Sequence, residues 1–142
     1  MRRPMKRVDF CRGKKVEVCS KEDGFVGSYY EATLVSHLPN GLCVVRYTNL
    51  LEDDESQPLT ETLYQKELRP LPPRVQGSAF SLYQKVDVFD NDGWWVGEIT
   101  GRRISDSHYY VYFTTTNEEI AYPYSQIRVH HDWVNGDWLL SN

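Results

Sequence analysis

The chain repeats itself. Gln84-Lys85-Val86-Asp87-Val88-Phe89 answers Lys14-Lys15-Val16-Glu17-Val18-Cys19, and Gly93-Trp94-Trp95-Val96-Gly97-Glu98-Ile99 answers Ser28-Tyr29-Tyr30-Glu31-Ala32-Thr33-Leu34. Tyr110-Val111-Tyr112-Phe113 then answers Val44-Val45-Arg46-Tyr47, and Gln126-Ile127-Arg128 answers Glu67-Leu68-Arg69. Two copies are too few for a solenoid. Each copy has about sixty residues, near the lower limit for a self-sufficient core, so the two are expected to pack together. The copies divide as a first module over 10–73 and a second over 80–140, which includes a C-terminal tail with Trp133 and Trp138. The plainest role for those two rings is to cover an open barrel edge or the face between the modules.

Within each copy the apolar residues alternate with polar ones, the period of a half-buried strand. Lys15 to Cys19, Tyr29 to Val35, Leu42 to Tyr47 and Thr60 to Leu68 read as four strands. Asn40-Gly41 is a hairpin signal between the second and third. An acidic loop, 51–56, follows the third. The proline-rich stretch from Arg69 to Pro73 ends the first module, and 74–78 reads as a linker or sharp corner. No stretch keeps a helical period over ten residues, so the fold class is all-β: two small bent barrels packed as a tandem.

The chain's 142 residues carry 25% charged and 40% hydrophobic side chains, a globular composition, with a net charge of −4. That balance argues for a basic partner over phosphate. Three cysteines with no C-x-x-C pair signal neither a disulfide framework nor a zinc site, and a reducing compartment fits them. No apolar run approaches a membrane span, and the basic start, Met1 to Arg7, reads as a solvated tail without the apolar core of a signal peptide. No G-x-S-x-G, P-loop or paired catalytic motif occurs, so no enzyme, cofactor or metal is expected. His37, His108, His130 and His131 have no ligand spacing, and surface solvation is their expected role.

Aromatics reach 13%, with ten Tyr and four Trp. They concentrate from Phe89 to Phe113, where two aromatic strands flank an acidic loop containing glycine. Aromatic faces beside carboxylates are what a bulky methylated cation requires. A dimethylammonium keeps its charge and one N–H donor, while its methyl groups make it cheaper to desolvate. Each face supplies cation–π attraction of ~0.5–2 kcal/mol, depending on burial. One carboxylate takes the remaining N–H.

The motifs Gly24-Phe25-Val26-Gly27-Ser28-Tyr29-Tyr30-Glu31-Ala32 and Leu50-Leu51-Glu52-Asp53-Asp54-Glu55-Ser56 resemble those of plant Agenet domains. Asn91-Asp92-Gly93-Trp94-Trp95-Val96-Gly97, Glu118-Glu119-Ile120 and His131-Asp132-Trp133-Val134 are similar to the companion module of the pair. The resemblance runs from about Phe10 to Trp138 and is specific when the motifs are taken jointly. Agenet domains belong to the Tudor-like Royal group, so it implies two barrels of four or five strands. It further implies a nuclear chromatin reader without catalytic activity. The implied partner is the histone H3 tail dimethylated at lysine nine, a silencing mark, and the implied form is a monomeric tandem within a longer protein.

Carried over position by position, the second copy offers Phe89, Trp95 and Phe113 as cage aromatics, with Asp90, Asp92 and Glu118 as neighbouring acids. The first copy offers Tyr30 and Tyr47. Cys19 departs from the aromatic pattern there, and Phe25 from the following loop is its substitute. Asp23, Glu52, Asp53 and Asp54 are the acids that would hold basic residues beside the methylated lysine. Strand aromatics are also the ordinary stuff of cores, and an acidic loop is ordinarily just solvated. Three other readings stay open: a methyl-arginine reader, a nucleic-acid binder stacking bases on Trp94, Tyr109 and Tyr110, and a tandem with no cage.

Overall fold

The computed structural model describes residues 10–20, 27–75 and 79–140. Phe25 and Asp23 fall outside these. The described chain is all-β, with short 3-10 turns at its corners. The first five strands are β1 (Lys15–Cys19), β2 (Ser28–His37), β3 (Leu42–Leu51), β4 (Pro58–Tyr64) and β5 (Leu68–Pro70). The next five repeat them: β6 (Lys85–Asp90), β7 (Gly93–Arg103), β8 (His108–Phe113), β9 (Glu118–Pro123) and β10 (Ile127–Val129). A terminal hairpin follows, β11 (His131–Val134) and β12 (Asp137–Leu140).

The copies share register as well as order. Val16 faces Ala32 across β1 and β2, and Val86 faces Gly97 across β6 and β7. Each long second strand carries a bulge at the same place, between Leu34 and Ser36 and between Ile99 and Gly101. A bulge bends a strand and increases its twist, which lets β2 and β7 each curl around a small core. The first core gathers Val16, Val18, Leu34, Val45 and Leu63, and the second gathers Val86, Val88, Ile99, Val111 and Ile127. Gly97 stands where the first copy has Ala32. A Cβ there would lie 2.5 Å from Val111 Cγ1 and 3.1 Å from the Tyr112 carbonyl oxygen, so only glycine lets β8 pack this closely.

One strand expected from the alternation is two. The Glu67 carboxylate accepts the Tyr64 N–H at 2.9 Å, which turns the chain through Gln65–Glu67 and ends β4. Leu68 to Pro70 then departs in a new direction and pairs with β1. At the equivalent corner Tyr124–Gln126 sends β10 onto β6.

The two halves join edge to edge. β2 pairs antiparallel with β7 through Ser28↔Trp95 and Tyr29↔Trp94, and Val96 donates its N–H to the Gly27 carbonyl at 3.0 Å. The result is one ten-stranded sheet whose central path runs β10-β6-β7-β2-β1-β5. Read from either end that order visits equivalent strands, so a local twofold relation passes between Tyr29 and Trp94.

Candidate functional site

The junction between the halves is built from charge. Glu17 lies opposite Arg69, and Asp87 lies opposite Arg128 at the matching place in the second copy. Glu17 Oε1 accepts from Arg69 Nε at 3.0 Å and Nη2 at 2.8 Å, while Arg128 reaches across to Glu17 Oε2 at 2.7 Å. Arg128 Nε also donates to Asp87 Oδ2 at 2.8 Å. The guanidinium faces are covered by rings: Arg69 Cζ sits 3.5 Å from the Tyr29 ring centroid and Arg128 Cζ sits 4.0 Å from that of Trp94. Arg69 then donates to the His131 carbonyl at 3.0 Å, and Trp138 lies over it at 5.0 Å, so the terminal hairpin closes the junction. Among the described residues every buried side-chain polar atom has a partner, as a buried network requires.

The expectation of solvated histidines fails for two of the four. His130 and His131 are buried, because the polar face of this tail points into the junction and not into water. His130 sits between two carboxylates, its Nδ1 2.6 Å from Asp87 and its Nε2 2.8 Å from Asp132. Burial pushes its imidazolium toward the neutral form, but the hydrogen bonds and charges of Asp87 and Asp132 outweigh that, and its pKa is raised. Protonated His130 therefore stabilises the fold fully below the unfolded value of about 6.5, and this contribution is lost as pH rises through the higher folded value. Urea midpoints between pH ~6 and ~9 should fall with rising pH in the wild type, and the His130→Gln variant should lack that part of the slope. Equal slopes in the two proteins would contradict the assignment.

Above the junction the aromatic side chains of the two halves meet. Tyr30 lies edge-on to Tyr47, with ring centroids 6.5 Å apart at 90°, and edge-on to Trp95, 6.5 Å apart at 80°. Tyr30 also lies over Gly93, whose absent Cβ would be 2.6 Å from Tyr30 Cε1. Trp95 Nε1 donates to the Asp90 carbonyl at 2.8 Å. The Asp90 carboxylate accepts the Tyr122 hydroxyl at 2.7 Å, and Tyr122 is edge-on to Phe113 at 6.0 Å. Burial, with help from Asp90, raises the Tyr122 phenol well above its usual range, so it remains a donor. Tyr122 was not among the residues expected from sequence. Its signal there is its inward place in the alternating run from Glu118 to Pro123.

Of the second-copy rings expected to act together, Phe89 parts from Trp95, while Trp95 packs against the core that holds Phe113. Phe113 is buried in the second core, as its equivalent Tyr47 is in the first. Phe89 faces the other way: it lies opposite Trp94, not Trp95, and packs on the Trp94 ring at 5.2 Å. Tyr30, Tyr47 and Trp95 are brought together. Asp92 sits exposed in the two-residue turn after Asp90, with φ at 65°, and Glu118 starts β9 opposite Phe113. In the acidic loop Glu52 holds Gln57 at 3.1 Å, and Asp54 holds the Ser56 N–H and hydroxyl, which draws its carboxyl below the usual range. Asp53 is exposed. Of the rings offered for base stacking, Tyr109 is buried beside Phe80, and Trp94 is occupied with Arg128.

A groove of about 310 Å³ opens at the junction, lined by Gly27, Tyr29, Lys85, Trp95, Thr114, His130 and Asp132 among others. Burial pushes the Tyr29 phenol up to about 12, so this wall is neutral at physiological pH. Trp95 and Asp132 line the same groove, which places an aromatic face and a carboxylate on one cavity.

Residues 13–73 match the Agenet domain family. The chain superposes on the crystal structure of Arabidopsis thaliana AGDP1 AGD34 with a TM-score of 0.88 and 35% identity, covering 93% of this chain and 90% of that one. It belongs to the Agenet domain family. The Agenet tandem of ADCP1, domains 3-4, gives a TM-score of 0.83 at 32% identity over 94% of this chain and 89% of that one. Among curated relatives, the Arabidopsis thaliana protein Agenet domain (AGD)-containing P1 is 37% identical over 98% of this chain, and DUF724 domain-containing protein 3 of the same plant is 35% identical over 87%. The chain spans about 28% of the first relative's length and 19% of the second's. The matched Agenet crystal structures share the all-β architecture described above.

Proposed function

We propose that this Agenet tandem is a nuclear chromatin reader that binds the histone H3 tail through a methylated lysine, dimethylated lysine nine being the preferred mark. The observation that supports the reading best is the near-perpendicular contact of two half-buried rings, Tyr30 and Trp95, with Tyr47, buried in the first core, edge-on to Tyr30. They stand aromatic faces from both halves beside one another, with Asp132 on the groove that Trp95 lines. A dimethylammonium gains cation–π attraction from such faces and gives its remaining N–H to a carboxylate. The acidic loop 52–57 takes neighbouring basic residues of the tail. The likeness to AGDP1 and ADCP1 tandem Agenet domains supports a histone partner over RNA, as does the occupation of Tyr109 and Trp94 by contacts within the chain.

Calorimetric titration with H3-tail peptides, unmodified and dimethylated at lysine nine, tests the reading at low and at physiological salt. Tighter binding of the dimethylated peptide at both salts is expected. Equal binding that fades with salt would mean that acidic loops merely attract a basic tail, and the proposal would fall.

A further inference from the structure

The bend that precedes the first strand is built alike in the two copies. In the first, Gly13 donates its N–H to the Leu34 carbonyl at 2.7 Å, and Lys14 bonds to Cys11 and Leu34. In the second, Tyr83 donates to the Ile99 carbonyl at 2.7 Å, and Gln84 bonds to Ser81 and Ile99. Both pivots are left-handed, with φ of 88° at Gly13 and 65° at Tyr83. Glycine enters this region freely, whereas a residue with a large side chain is strained there. Tyr83 is nevertheless 67% exposed, so packing within the chain returns little for the strain. A strained backbone presenting an aromatic ring to solvent points outward, to a ligand.

Tyr83 forms one wall of a groove of about 360 Å³ with Tyr112, Glu98, Lys85 and Thr114. Lys85 pairs with Glu98, and Glu98 with Tyr112, so these three side chains stand in a row on one sheet face. The Tyr112 hydroxyl donates to Asn117 at 2.8 Å, which fixes its ring. Among the described residues nothing donates to the Glu98 carboxylate, which is half-buried beside Tyr112 and lies across from exposed Lys85. Lys85 and Thr114 also line the junction groove that contains Trp95, so the two grooves adjoin along a shared wall.

We propose that this second groove is a cation subsite for an arginine of the same tail whose methylated lysine lies against Trp95. The guanidinium is planar and weakly hydrated, so it stacks on tyrosine faces as an ammonium does not, and its edge donates to Glu98. The inference rests on the methyl-lysine reading given above.

The test uses H3-tail peptides dimethylated at lysine nine, with arginine or with the neutral isostere citrulline at every arginine position. The wild type should bind the citrulline peptide about tenfold more weakly. Tyr83→Gly relieves the backbone strain, so its melting temperature should equal or exceed that of the wild type, while the arginine–citrulline difference shrinks. Glu98→Gln should shrink it too, without losing the preference for dimethylated over unmodified peptide. If Tyr83→Gly and Glu98→Gln both keep the full arginine–citrulline difference, the subsite is wrong and the methyl-lysine reading stands. If the wild type shows no preference for the dimethylated peptide, the reading and the subsite fall together.

Discussion

Glu17→Ala should cost the tandem about 3–5 kcal/mol, the penalty for removing one partner of a buried ion pair. Glu17 is 1% exposed and is shared by two guanidinium groups, one from each half. Without it Arg69, itself 2% exposed, keeps only the His131 carbonyl among these hydrogen bonds, and Arg128 keeps only the Asp87 carboxylate. A loss of that size is a fifth or more of the ~5–15 kcal/mol that holds a typical domain folded. Because Arg128 belongs to the second half, the loss should not stay in the first. Amide exchange should quicken in β6 and β10 as well as in β1 and β5. Urea unfolding of the variant, followed by tryptophan fluorescence and by exchange, reads both effects. The exposed pair of Arg103 and Asp106 supplies the contrast, since Arg103→Ala should leave the urea midpoint close to that of the wild type. A Glu17→Ala midpoint equally close to it, or quickened exchange confined to the first half, would show that the network does not couple the halves.

The same network marks the limit of what the sequence displays. The architecture is legible because period-two alternation and the turn at Asn40-Gly41 are local signals, and the repetition of Lys15-Val16-Glu17 as Lys85-Val86-Asp87 shows that there are two units. Alternation separates two faces of a strand, but it does not say what covers the polar one. Glu17, Asp87 and His130 occupy polar positions, and in the folded chain that face meets the other half, not water. A signal was present in the pairing of equivalents: an acid and an arginine recur at the same two places in both copies. The site was half legible for a related reason. Position alone groups Phe89 with Trp95 and Phe113, whereas the register sets Phe89 opposite Trp94 and sends it to the junction face. The meeting of Tyr30 with Trp95 depends on the pairing of β2 with β7, a contact between halves that no local pattern encodes.

Trp95→Ala should abolish the preference for dimethylated peptide, lowering affinity by ~2 kcal/mol or more, as truncation of a buried aromatic anchor does. Trp95 touches Tyr30 from the second half and also lines the junction groove. Its loss removes a cation–π face and one of the contacts that orient Tyr30. The ring also packs against the second core and bonds to the Asp90 carbonyl, so the alanine variant will lose stability as well. Trp95→Phe separates the two effects: it forfeits the Asp90 bond but keeps an aromatic face, so it should be destabilised yet retain most of the preference. Phe113→Ala is the complementary control. Phe113 lies inside the core, so its removal should lower the melting temperature while leaving the ratio of affinities for dimethylated and unmodified peptide unchanged in the folded protein. If folded Trp95→Ala keeps that ratio and Phe113→Ala loses it, the methylated lysine is held within the second barrel and not between the halves.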